Sequence, residues 1–136
     1  MRAAFGIAII LTSSVVARSQ SLQEQSSCAK QAEKAYQDYI SGGAIPGFKL
    51  VSSDYESHYN PNLNRCLVLI DEVFKTNEKT SSSTTLVDAF ERHTFAQYMV
   101  SGANRIDCEL APALKKSTSC SSRAEFDAFV SEYMQR

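Results

Sequence analysis

Two histidines, four cysteines and a scatter of aromatic residues carry whatever chemistry this chain has. His58 stands in Asp54-Tyr55-Glu56-Ser57-His58-Tyr59, where Asp54, Glu56 and His58 recur at every second residue. In an extended strand, residues i and i+2 project to the same face, so this spacing sets the imidazole beside a carboxylate. Such a pair can exchange a proton as acid and base, or offer two ligands to a metal. A metal site needs more ligands, and the spacing specifies no third. The plainer reading is a solvated or structurally hydrogen-bonded histidine. His93 follows Arg92 in a short polar stretch and reads as a surface turn residue. Tyr55 and Tyr59 fall on the other side of the strand from His58. With Phe95 and Tyr98 they make an aromatic set that is core if helices cover it and a binding surface if it lies open. Tyr55, His58, Tyr59 and Tyr98 are therefore the candidate binding residues. No residue is assigned to catalysis or to a metal, and no cofactor is expected.

Motifs with a known mechanism are missing from the sequence. It has no G-x-S-x-G elbow, although serines are abundant enough to leave a Ser/His/Asp triad open. It has no P-loop, H-E-x-x-H, calcium loop or Gly-rich dinucleotide fingerprint. There is no C-x-x-C, which disfavours thiol redox catalysis and a zinc site. What remains favours a non-enzymatic domain that binds a protein, an envelope component or a small molecule. The alternatives are a secreted or periplasmic hydrolase using His58 with Glu56 or a nearby serine, and an inhibitor of an envelope enzyme. An inhibitor would present a rigid loop at 60–64 or 109–119.

The elements that must position these residues begin with a leader. Met1–Ala17 has a positive Arg2, an apolar stretch over Ala3–Leu11, and small residues at Val15-Val16-Ala17 or Ala17-Arg18-Ser19 where cleavage fits. Residues 1–19 read as a secretory signal, and 20–136 as a single domain, secreted or periplasmic. An uncleaved anchor is the competing reading, although the apolar stretch is short for a membrane span. The chain has 14 basic and 15 acidic residues. Without Arg2 and Arg18 the balance is 12 against 15, a net charge near −3. That balance argues against nucleic acid as a partner. No other apolar run approaches membrane-spanning length, so no membrane contact is expected after cleavage. The oligomeric state is not legible.

Cys28, Cys66, Cys108 and Cys120 are an even set in a small exported domain, which implies two disulfides. Three pairings are possible. Cys28–Cys66 with Cys108–Cys120 is favoured, because the first staples a helix to a central strand and the second closes a short loop.

Residues 19–27 read as a loose polar lead-in, with a helical pattern starting near Leu22. Cys28, Ala32, Ala35, Tyr36, Tyr39 and Ile40 share one helical face, and Gly42-Gly43 ends the helix. Strands are predicted at 50–59 and 65–75, joined by the Asn60-Pro61-Asn62 turn. Asn60 and Asn64 are expected to pin that turn. Lys75–Thr84 reads as a flexible polar loop, either a linker or a binding loop. Leu86–Glu91 and Thr94–Val100 read as a hairpin around Arg92-His93, with an amphipathic helix over 85–100 as the competing assignment. Arg105–Leu110 is a short edge strand that Pro112 ends. Ser122 and Glu125 form an S-x-x-E capping box before the stripe Phe126, Phe129, Val130, Tyr133, Met134.

His58-Tyr59-Asn60, Leu63-Asn64-Arg65-Cys66-Leu67-Val68-Leu69-Ile70, Asp88-Ala89-Phe90-Glu91 and Glu125-Phe126-Asp127 stand in an order that resembles small exported bacterial proteins of unknown function. The resemblance spans about residues 28–135 and implies export and a stapled α+β fold. It brings no activity with it. The expected architecture is an α+β domain, with an antiparallel sheet of four to five strands and an N-terminal and a C-terminal helix packed on one face.

Overall fold

The computed structural model describes residues 14–42, 47–76, 79–102, 105–111 and 116–134. The order is α1 (Ser14–Gly42), β1 (Lys49–Asn60), β2 (Arg65–Lys75), β3 (Thr80–Asp88), β4 (Thr94–Ser101), β5 (Arg105–Leu110), β6 (Thr118–Ser119) and α2 (Arg123–Tyr133). The six strands form one antiparallel sheet in sequence order, so every strand pairs with its chain neighbour. β6 adds a strand beyond the four to five expected, and Arg105–Leu110 is therefore not the edge. The α+β class holds, and so do both disulfides, Cys28–Cys66 and Cys108–Cys120, each with Cα atoms 5.2 Å apart. That separation is ordinary for a bridge.

The helices do not share a face, which corrects the expectation. Successive residues of a strand point to opposite sides. Cys66, Val68 and Ile70 of β2 pack with Cys28, Ala32, Ala35 and Tyr36 of α1. Leu67 and Leu69, between them in the chain, pack instead with Phe126 and Val130 of α2. The two helices lie on opposite sides of the sheet, and β2 is buried on both. Helix α1 covers the β1–β2 side of one face, and α2 covers the β4–β5 side of the other. Among the described residues each face thus keeps one half that no helix covers, and these two halves are diagonally opposed.

Local chemistry explains the connections. In the β1–β2 turn the Asn60 side-chain oxygen accepts from the N–H groups of Asn62 (3.0 Å) and Leu63 (3.1 Å). Its amide donates to the Tyr133 carbonyl at 2.8 Å, fastening the end of α2 to the turn. Asn64 takes φ of 50°, a left-handed conformation that asparagine tolerates. Between β3 and β4 the register slips: Leu86 faces Ala96 while Val87 faces Thr94. Phe95 is the extra residue of that bulge, and it lands in the α2 core.

Three local expectations change, and one competing assignment falls away. Residues 19–27 are helical, part of the 29-residue α1, not a loose lead-in. The loop predicted at Lys75–Thr84 is short, because β3 starts at Thr80 and the Thr76 N–H donates to the Lys79 carbonyl at 2.9 Å. Residues 85–100 are strand and turn, which removes the helical alternative. The α2 cap is half as predicted: the Glu125 N–H donates to the Ser122 hydroxyl at 3.2 Å, but the Glu125 carboxylate reaches back to Ser121, not to Ser122. Residues 1–13, Gly43 and Pro112 lie outside the described residues.

Candidate functional site

The alternation that placed His58 beside carboxylates holds. Asp54, Glu56 and His58 face Asp71, Leu69 and Leu67 of β2, on the side of the sheet that α2 occupies farther along. His58 is half-buried, and Asp54 and Glu56 are exposed. Asp54 accepts from the N–H of Tyr55 at 2.8 Å, and Asp71 accepts from the Thr84 hydroxyl at 2.7 Å. Among the described residues no group of three His, Cys, Asp or Glu side chains converges to hold a metal ion.

The aromatic set does not assemble into one patch. Tyr55 and Tyr59 lie on the α1 face, where Tyr55 stacks on Tyr36 with ring centroids 4.4 Å apart. Tyr59 donates its hydroxyl to the Asn64 side chain at 2.8 Å. Tyr98 is buried on the other face beneath α2, against Phe126, and Arg123 lies over both rings. Phe95 is buried with it, in contact with Tyr133. Of the four candidate binding residues, Tyr55 and Tyr59 share one face, while His58 and Tyr98 belong to different regions of the other. His93 packs edge-on against Phe95 from the β3–β4 turn.

The structure instead opens two cavities on the α1 face, lined by none of the four candidate binding residues. One holds about 440 Å³ over β4, β5 and β6. Gln97 and Met99 form its floor with Asp107 and Glu109, and Ser117 and Ser119 form the far wall. The register explains the grouping, since Gln97 faces Glu109, Met99 faces Asp107 and Glu109 faces Ser119. Ser117 donates a hydrogen bond to the Glu109 carboxylate. The Cys108–Cys120 bridge belongs to the same lining and ties β5 to the segment after β6.

The second cavity, about 340 Å³, lies between α1 and the start of β4, lined by Ala35, Asp38, Tyr39, Val87, Arg92 and Thr94. Arg92 and Asp38 are ion-paired at 2.7 Å. Thr94 and Gln97 belong to the same strand, and register to Val87 and Thr85 places both on the α1 face. The two cavities lie along one face of β4 and make a trough that α1 walls at the second cavity.

A buried polar group lies under that wall. Glu72 is 6% exposed, and it pairs across the sheet with Ser53 and Ser83. Burial pushes its carboxyl above the usual carboxylate range, and a hydrogen bond with Tyr39 offsets part of the shift. The Tyr39 phenol is raised as well, first by burial. Its hydroxyl also meets Thr85 at 3.4 Å, and Thr85 meets Ser83 at 3.4 Å.

The arrangement can bind. An open trough offers two carboxylates, an amide, hydroxyls and a thioether at one end, and an apolar cleft with an ion pair at the other. In the first cavity the Ser117 hydroxyl is held by the Glu109 carboxylate, and no imidazole lines either cavity among the described residues. The available signal in the sequence was the alternation Gln97-x-Met99 and Asp107-x-Glu109, which sets Gln97, Asp107 and Glu109 on one face of strands whose other face is apolar. Comparison with family models, with curated proteins and with solved structures returns no match.

Proposed function

We propose that this chain is an exported, non-enzymatic binding domain that takes its ligand in the trough on the uncovered half of the α1 face. The observation that carries the reading is the pair of cavities, about 440 and 340 Å³, along one face of β4. Volumes of roughly 300–1,000 Å³ are usual for small-molecule sites. A disulfide closes one side of the trough and a stapled helix forms the other, so the walls are held before a ligand arrives. Such preorganisation lowers the ordering cost of binding.

Export rests on the leader in residues 1–19 and on the two disulfides, which are consistent with an extracytoplasmic location. Among the described residues no helix is long and apolar enough to cross a membrane. Cleavage after Ala17 or Ser19 would shorten α1 ahead of Cys28, which enters the core, and ahead of residues 22–27, which are all exposed.

The test is two-dimensional NMR of the labelled, oxidised domain, titrated with fractions of periplasmic extract and culture supernatant. Saturable shifts confined to the trough lining, among Ala35, Val87, Thr94, Gln97, Met99 and Ser119, are expected. Shifts confined to the outer side of β1, or none from any fraction, would overturn the reading.

A further inference from the structure

The cleft beside α1 combines two kinds of surface. Ala35, Val87 and the Tyr39 ring make an apolar lining, and Thr94 adds a hydroxyl. At its lip stand Asp38 and Arg92, charges of opposite sign 2.7 Å apart. Arg92 holds φ of 59°, a conformation in which glycine or asparagine is at home. The turn's own bonds impose it: the Arg92 N–H donates to the Asp88 carbonyl at 3.0 Å, and the Asp88 N–H donates to the His93 carbonyl at 2.9 Å. Neither bond uses the guanidinium, which reaches across to Asp38 on α1. A strained residue whose side chain does no work in its own turn points to a use elsewhere.

We propose that this cleft binds a small zwitterion with an apolar body, an α-amino acid with an aliphatic or aromatic side chain. The inference rests on the binding reading above and names its ligand class. The argument is charge complementarity over an apolar floor. An α-amino acid carries an ammonium and a carboxylate on one carbon, and the lip offers a carboxylate and a guanidinium side by side. The ammonium pairs with Asp38 and the carboxylate takes a two-pronged bond from Arg92. The side chain then lies on Ala35, Val87 and Tyr39. Both lip residues are solvent-exposed, and an exposed ion pair contributes little, so parting them to admit the ligand costs little. Each charge regains a partner in the complex. A plain carboxylic acid or a plain amine would strand one of the two.

The same NMR titration tests it with L-leucine as the probe, against N-acetyl-L-leucine, L-leucinamide and 4-methylpentanoate. Saturable shifts of Ala35, Val87 and Thr94 with leucine are expected. Weakening by at least about tenfold is expected for each analogue that lacks one charge. Arg92→Gly and Asp38→Asn should each reduce leucine binding by a similar factor. Arg92→Gly suits the backbone at that position, so its fold is secure and its loss of binding is interpretable. Unmoved amides at millimolar leucine, an equally tight N-acetyl analogue, or undiminished binding by Arg92→Gly would overturn the proposal. If leucine fails while extract fractions still shift Gln97 and Ser119, only the zwitterion falls. If both fail, the binding reading falls with it.

Discussion

The Arg65 guanidinium lies 2.8 Å from the Asp88 carboxylate, joining the first residue of β2 to the last residue of β3. Asp88 is almost wholly buried, and its other oxygen accepts from the N–H groups of Phe90 (2.8 Å) and Glu91 (2.9 Å). One carboxylate therefore sets the β3–β4 turn that carries Arg92.

Burial pushes the Asp88 carboxyl up, but the Glu91 N–H, the Arg65 guanidinium and the Phe90 N–H together outweigh it and leave it below the usual carboxylate range. A lowered folded value means stability that is present above the unfolded value and lost as pH falls through the folded one. Asp88→Asn should remove that acid sensitivity and destabilise the fold at neutral pH by about 1–3 kcal/mol. Urea unfolding between pH 3 and 7 measures both, and an unchanged midpoint at pH 7 would refute it.

Glu72 has the opposite sign. Its raised folded value means that its contribution is complete below the unfolded value and declines as pH rises through the folded one. Above the unfolded value, burying this carboxyl is therefore a net penalty. Glu72→Gln keeps a hydrogen-bonding partner for Tyr39 without the charge. It should raise the midpoint at pH 7, have little effect near pH 4, and flatten the slope between them. A variant less stable at pH 7 would contradict this account.

The disulfides close loops of different length, with sequence separations of 38 and 12. On the chain-entropy account, replacing Cys28 and Cys66 by alanine should cost about 4 kcal/mol, and replacing Cys108 and Cys120 about 3 kcal/mol. Only the second pair lines the trough, so the second variant should also broaden the amide signals of Glu109 and Ser119. Chemical denaturation and NMR linewidths give the two readouts.

Phe126 and Phe129 share the α2 stripe but not its burial. Phe126 is fully buried against Tyr98, whereas Phe129 is only partly buried at the margin of that core. Phe126→Ala should cost about 3–5 kcal/mol and Phe129→Ala clearly less. Equal losses would mean that α2 sits rotated from its described position.

Much of this framework could be read from residue order alone. The β1–β2 pairing followed from Tyr55-x-Ser57-x-Tyr59 alternation and the Asn60–Asn64 turn, and the cysteine pairing followed from the elements it joins. The run Cys66-Leu67-Val68-Leu69-Ile70 also held the clue to opposite helix faces, since a strand apolar at both parities needs cover on both sides. The start of β3 was illegible for a physical reason. Ser81, Ser83, Thr84 and Thr85 are buried, yet hydroxyls answer one another and nearby groups: Ser81 with Ser101, Ser83 with Thr85, Thr84 with Asp71. A buried strand satisfied by hydroxyls looks like a loop when hydrophobicity is the guide. The trough was missed because its residues come from α1, β4, β5 and β6, and only sheet register brings them together.

Because the helices occupy opposite corners of the sheet, the molecule has two separate apolar cores divided by β2 and β3. Each half has its own sulfur clasp, and neither clasp crosses from β1–β3 to β4–β6. The backbone ladder between β3 and β4 couples the halves, and the α2 core, the Asn60–Tyr133 bond and the Arg92–Asp38 ion pair span the same join. That ladder runs beside the floor of the trough, so whatever disturbs the join between the halves reaches the trough as well.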